Sequence, residues 1–364
     1  MRRRLLDLIL CPRCRGGFSL ETSTSADADG NVIDGGLRCE CGRGFPIING
    51  VPRLLSPPLL RRMRERYGDF FTAHPEYLAG DDTDGRELGD TLESFTRQRL
   101  DFPPPGPALA AQWRVNFARC MGDALGGESL HGKLVLDVGC GFGRHMYVAA
   151  EQGAEVVGID LSGGVDRAYD ATHTWSRCHV VQANVFDQPL LPGTFDVVWS
   201  FGVLHHMPDP AAGFRAIVPL ARPDGGHVAI WVYGYDGMAL TYRLSHMRSL
   251  HRRLRHLPGP TRSRASAIVA GVLSAAYWEP LRLAQRAGLS ALVRRLPLAD
   301  YVDHSWRTRI AGVHDRLSTP ITHFHDRLEL SDWYRSAGLQ DICVGDTDRR
   351  GWRASGRRTA APIP

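Results

Sequence analysis

Three groups of residues have types and spacings that can do chemistry. The first is LVLDVGCGFGRH, residues 134–145, where an apolar run containing Asp137 ends in Gly139, Gly141 and Gly143 and a helix-compatible segment follows. A strand that turns through glycines into a helix brings backbone N–H groups and a helix N-terminus against a nucleotide-like ligand. Glycine is needed there because a Cβ would block the approach and because tight turns often require φ > 0. The spacing is G-x-G-x-G and not the G-x-G-x-x-G of dinucleotide binders. EVVGID then ends in Asp160, where a carboxylate accepts from both ribose hydroxyls. The second group is Cys11-Pro-Arg-Cys14 with Cys39-Glu-Cys41, two corners that each offer two sulfurs to one ion and together close a tetrahedral site. No βαβ context surrounds Cys11 and Cys14 to make them a redox pair, and reduced cysteines without metal are the alternative. The third is His205-His206, a pair that titrates near neutrality and can take a proton from an acceptor. Packing or hydrogen bonding beneath a ligand is the competing role for both.

The glycine turn, Asp137 and Asp160 together resemble the Rossmann-like S-adenosylmethionine-dependent methyltransferases, the type 11-like group in particular. That resemblance implies S-adenosylmethionine as cofactor, held by Asp137, Gly139, Cys140, Gly141, Gly143, Asp160 and Leu161. Asn184-Val185 falls where the family holds the adenine. The family usually has an acid at the first of these positions, but an amide oxygen also accepts from an amino group. Ser200 and Phe201 end the fourth strand, at the carboxyl edge where open α/β sheets bind ligands. The stretch CPRCRGGFSL, with LRCECGRGFPIINGVPRLL, is similar to the small zinc ribbon of activator subunits of tRNA and protein methyltransferases. It implies structural Zn²⁺ on Cys11, Cys14, Cys39 and Cys41, with metal as the main source of stability for so short a segment.

These residues need elements to position them. Apolar runs alternating with helical segments predict a doubly wound, mainly parallel sheet of α/β class, with seven strands implied by the resemblance. The reversed last strand is expected within 339–358. Residues 1–56 form the ribbon, 57–130 a helical cap and linker, and 131–364 the methyltransferase domain. Tyr67, Phe70, Phe71, Tyr77, Phe95 and Trp113 of the cap are candidates for a pocket lining. Trp199, Trp231, Tyr233 and Tyr235 are candidates for π-faces near a sulfonium. Residues 236–330 are a helical insertion far longer than a crossover loop of ~2–6 residues. Within it 241–257 reads as an amphipathic, arginine-rich helix, and 265–278 as a buried one, too short for the ~20 residues of a membrane span.

The formal net charge of +5 comes from arginines spread along the chain, with Lys133 the only lysine, which argues against a clustered nucleic-acid footprint. Asp7 interrupts the apolar start, so no signal peptide is read and a cytoplasmic enzyme is expected. The expected activity is methyl transfer to a small molecule, a secondary metabolite or a sugar-bearing precursor. An RNA methyltransferase and a non-catalytic cofactor-binding scaffold are the alternatives.

Overall fold

The protein is described by a computed structural model over residues 1–79, 89, 92–97, 107–187, 189–234, 259–293, 296, 298–319, 321–347 and 351–359. Phe18–Ala26 (β1), Val32–Cys39 (β2), Gly44–Ile48 (β3) and Val51–Leu54 (β4) form an antiparallel meander. Leu134–Val138 (β5), Glu155–Asp160 (β6), Cys178–Ala183 (β7), Val197–Phe201 (β8) and His227–Tyr233 (β9) are parallel, in the order β7-β6-β5-β8-β9. Gln340–Asp346 (β10) and Gly351–Arg357 (β11) complete this seven-stranded portion, and β11 runs antiparallel to both β9 and β10. The reversed strand thus falls in the stretch expected for it.

Helices cover both faces of the parallel strands, which is why these read as near-continuous Val/Ile runs. In chain order the helices are Pro57–Arg62 (α1) and Gly68–Ala73 (α2), which pack in a cap core of their own, then Pro107–Met121 (α3), Arg144–Glu151 (α4), Val165–Thr172 (α5) and Pro210–Ile217 (α6). Gly259–Leu273 (α7), Glu279–Ala284 (α8), Ser290–Val293 (α9), Trp306–Ser318 (α10) and Arg327–Ser336 (α11) follow. Side chains alternate across the sheet. Val135 and Val156 pack with Phe117, Met146 and Ala168 of α3, α4 and α5, whereas Leu136, Val138 and Val157 pack with Phe214 and Tyr334 of α6 and α11.

The meander does not stand apart as a ribbon of its own. β4 pairs parallel with β7, Arg53 opposite Gln182 and Leu54 opposite Ala183, so one sheet of eleven strands runs through the chain. Leu5, Leu8, Leu37, Phe45 and Ile47 share a core with Val181, Leu190 and Phe195. The expectation that metal is this segment's main source of stability is therefore corrected. At roughly 1.5–3 kcal/mol for each fully buried side chain, the shared core is a large contribution of its own.

Two further expectations change. The apolar residues of 59–71 have helical spacing and would make one helix of the cap, but the turn at Met63–Tyr67 breaks the stretch into α1 and α2. The segment expected as a buried helix exposes Ile268 and Val272 while Ala270 and Trp278 face inward. The basic stretch at 241–257 lies outside the described residues. No described helix is long and apolar enough to cross a membrane.

Candidate functional site

Four of the parallel strands open a cleft at their carboxyl ends. It encloses about 810 Å³ of empty space, part of it open to solvent. Val138 and Gly139 form its floor, followed by Ile159, Asp160, Leu161 and Ser162 from the end of β6. Ala183, Asn184, Val185 and Phe186 contribute one wall. Gly202, Val203, His206, Met207 and Pro208 contribute the other, and Phe95 of the cap reaches over it.

The three glycines serve different needs. Gly139 (φ +78°) lies against the cleft, and a Cβ there would sit 2.3 Å from the Val203 side chain. Gly141 (φ +57°) donates its N–H to Asp160 Oδ2 at 2.8 Å. Gly143 (φ +83°) precedes α4, and its missing Cβ admits the Ala168 backbone of α5, 2.9 Å from where that atom would be. This last glycine serves helix packing and does not line the cleft.

Asp160 ties the turn together. Its Oδ1 accepts from Ser162 N–H at 2.7 Å while Oδ2 accepts from Gly141 N–H. Each carboxylate oxygen keeps further acceptor capacity toward the cleft. Asn184 is similar, with its Oδ1 accepting from Phe186 N–H at 3.2 Å. Asp137 lies beneath the turn and outside the cleft lining. It is fully buried, and burial pushes its carboxyl up to about 7. Cys140 is also buried, its N–H donating to Ile159 O at 3.0 Å.

Ser200 and Phe201 do not reach the cleft. Ser200 Oγ donates to Val138 O at 3.0 Å inside the sheet, and Phe201 packs against Phe117 and His145. β8 ends at Phe201 and the chain turns at Gly202 (φ +80°), so Gly202 and Val203, just past the strand, take the lining positions. Among the described cap aromatics only Phe95 lines the cleft. Trp113 packs on Phe142 and Tyr147, and Phe71 is buried in the cap core with Tyr67. Trp199 is fully buried, the Trp231 indole donates to Thr347 Oγ1 at 2.8 Å, and neither lines the cleft. Tyr235 lies outside the described residues. Phe186, Met207 and Pro208 line it without having been singled out, because their place depends on how the loops after β7 and β8 fold back.

The two histidines separate. His206 lines the cleft with the Phe95 ring centroid 5.4 Å away, and its Nδ1 donates to Ile321 O at 2.9 Å. In the neutral ring that bond makes Nε2 the acceptor nitrogen. His205 lies behind it, stacked on Tyr233 at 3.9 Å between centroids. Burial, with His206, His325 and His323 nearby, holds the His205 imidazole well below its ordinary value, so it stays neutral.

The four cysteines meet at the edge of the sheet. Their sulfurs lie within 4.8 Å of one another, Cys11 to Cys41 at 3.9 Å and Cys14 to Cys39 at 3.2 Å. None of these is a disulfide, which needs about 2.05 Å. A tetrahedral site with Zn–S bonds of ~2.3 Å requires sulfurs roughly 3.8 Å apart, which this set fits. Each corner closes through a left-handed residue, Arg15 (φ +66°) after Cys14 and Gly42 (φ +83°) after Cys41. The short Cys39–Cys41 spacing is accommodated because Gly42 N–H donates back to Cys39 O at 2.9 Å.

Residues 136–229 match the family model of a methyltransferase domain. The chain is 42% identical over 98 residues to tocopherol O-methyltransferase of Arabidopsis thaliana, covering 26% of this chain and 28% of that protein. It is likewise 42% identical over 102 residues to the ubiquinone biosynthesis O-methyltransferase of Ralstonia nicotianae, covering 27% and 42%. Among solved structures, an S-adenosylmethionine dependent methyltransferase from Mesorhizobium loti is 32% identical, with a TM-score of 0.28 over 30% of this chain and 51% of that one. The chain spans less than half the length of the curated relatives it matches first.

Proposed function

We propose that the protein is an S-adenosylmethionine-dependent methyltransferase acting on a small-molecule acceptor. The observation that carries this reading is the cleft in which Gly139, Asp160 and Asn184 face His206 and Phe95. The cofactor, when bound, supplies an electrophilic methyl group on a sulfonium. Asp160 would accept from ribose hydroxyls, Asn184 from an adenine amino group, and Leu161, Val185 and Phe186 would flank the base. Gly139 lets the ligand approach the backbone.

What remains for the protein is positioning and proton transfer. Phe95, Met207 and Pro208 would confine the acceptor beside His206. If the acceptor is a hydroxyl, its proton passes to His206 Nε2 as the oxygen gains the methyl group, because Nδ1 is already bonded to Ile321 O. His205 holds Tyr233 and the wall behind it. The O-methyltransferase relatives, which match about a quarter of the chain, support a small-molecule acceptor.

The cysteine cluster would hold one structural zinc, leaving no open position for chemistry. A labelled-methyl assay against cell extract split into small-molecule, RNA and protein fractions tests the function. Label in the small-molecule fraction is expected. Label in RNA alone would move the activity to nucleic acid, and bound cofactor with no transfer anywhere would make the protein a scaffold.

A further inference from the structure

The insertion has a small core and one face that no described element covers. Ala270, Trp278, Val293, Val302 and Val313 pack together on the inner side. Glu279 is the one acid between residues 241 and 296, and it is engaged by Arg309 at 2.7 Å and Arg282 at 3.2 Å. On the outer side of α7, Arg264, Ile268 and Val272 recur every fourth residue, the spacing of one helix face. The wide turn at Ser274–Trp278 carries that line to Ala276, Leu283 and Ala287. Ile268, Val272 and Leu283 are 68%, 62% and 64% exposed, and Leu289 and Leu292 beyond Gly288 are 51% and 57% exposed. Trp306, also exposed, lays its ring 3.7 Å from the Cβ position of Gly271 on the same helix. Single exposed apolar residues are ordinary, but a run of this length along three successive helices marks an interaction surface.

Charge selects the occupant. The exposed cations described along α7, α8 and α9 are Arg264 and Arg286, and the one acid there, Glu279, has a half-exposed side chain already paired with Arg309 and Arg282. Residues 241–296 hold eleven arginines against that one glutamate, although the whole chain has a formal net charge of only +5, so the positive charge is concentrated here, contrary to the even spread expected, and the remainder is net acidic. A second copy of this face would set like charges against each other, and a nucleic acid would leave the leucines and isoleucine in water.

We propose that this face docks on an anionic lipid bilayer. Ile268, Val272, Leu283, Leu289 and Leu292 enter the boundary of headgroups and acyl chains, with Arg264 and Arg286 at the phosphates. Trp306 suits the same interface, having an apolar body and a polar N–H. The insertion leaves the sheet after Tyr233 and returns at Ile321, and both residues pack around His206, so docking joins the bilayer to the cleft wall. The surface does not depend on the methyl-transfer reading.

Flotation of the full chain with vesicles tests it, using phosphatidylcholine alone and phosphatidylcholine with phosphatidylglycerol. Binding to the anionic vesicles is expected, weakening as salt rises, with little binding to neutral ones. Ile268→Glu with Leu283→Glu should lower the bound fraction about tenfold or more, while thermal stability stays unchanged because both sites are exposed. Light scattering on the same samples reports self-association. Absent vesicle binding overturns the proposal, as does binding that the double variant retains. A dimer that the variant splits, with no vesicle binding in either form, would assign the face to a second copy, and binding of bulk tRNA without vesicles would assign the arginines to nucleic acid.

Discussion

His205 and His206 are adjacent in sequence, yet their surroundings give them opposite work. His206 faces the cleft with Nδ1 fixed on Ile321 O, and His205 is buried behind it on the Tyr233 ring. His206→Ala is expected to lower turnover by ~100-fold or more with cofactor affinity intact, as removal of a general base does. Calorimetric titration beside steady-state rates checks this, and equal losses in both would make the residue a binding contact. His205→Ala should instead act on stability, costing roughly 2–4 kcal/mol by leaving a cavity against Tyr233. Because His205 stays neutral, any acidic limb of the rate profile should vanish in His206→Ala and persist in His205→Ala. The sequence offered both histidines equally. Nothing in it distinguishes which ring faces the cleft, since that depends on Ile321, over a hundred residues away.

At the same scale, Asp160→Ala removes an acceptor facing the cleft and also releases Gly141 and Ser162. The affinity loss should reach at least the ~1.5–3 kcal/mol of a hydrogen bond to a charged group. Gly139→Val should abolish cofactor binding, through the clash with Val203 and through a φ that a β-branched residue resists. A Gly139→Val protein that binds normally would show that the turn does not touch the ligand. The glycine turn was legible because its backbone demands are local. The lining residues Val203 and Met207 were not, because they follow from a fold-back after β8.

β5, β6 and the end of β8 were read from short apolar runs, and each lies where its run predicted. The joining of β4 to β7 was not readable. It rests on two opposed residue pairs and a shared core, neither of which leaves a periodic signal in the segment itself. That joint changes what metal loss should do. Purified protein should carry one zinc per chain by elemental analysis, and Cys11→Ser with Cys41→Ser should lose it. The double variant should nevertheless remain folded, with lower stability, because Leu5, Leu8, Phe45 and Ile47 stay anchored in the common core. Circular dichroism after metal removal checks this, and loss of all ordered structure would restore metal as the main support of the segment. Deleting residues 1–55 outright should be far worse, since it strips the edge of β7 and uncovers Val181 and Leu190.

For the molecule as a whole, the question is what locks the amino-terminal meander onto the cleft-bearing domain. Arg53 on β4 is fully buried, and its Nη2 meets Asp166 Oδ1 of α5 at 2.5 Å. Its Nη1 donates to Gln182 Oε1 of β7 at 2.9 Å. Arg66 reaches Asp166 Oδ2 at 2.9 Å, and the Tyr67 hydroxyl donates to the same oxygen, so cap, meander and domain converge on one carboxylate. Burial works against the charge on Asp166, but Arg53, Tyr67 and Arg66 outweigh it and hold the carboxyl below its ordinary value of 3.8. A depressed folded pKa gives stability that is present above the unfolded value and lost as pH falls through the folded one. Asp166→Ala should therefore cost about 3–5 kcal/mol at neutral pH, because it leaves Arg53 charged and buried without its partner. Arg53→Met with Asp166→Leu should recover much of that loss, since replacing both members of a buried pair by apolar groups is often nearly neutral. Urea unfolding of the wild type, both singles and the double completes the cycle, and it should be repeated at pH 7 and below pH 4. The coupling should shrink in acid as Asp166 takes up its proton. Single variants as stable as the wild type at pH 7 would mean that the shared core alone holds the two parts together.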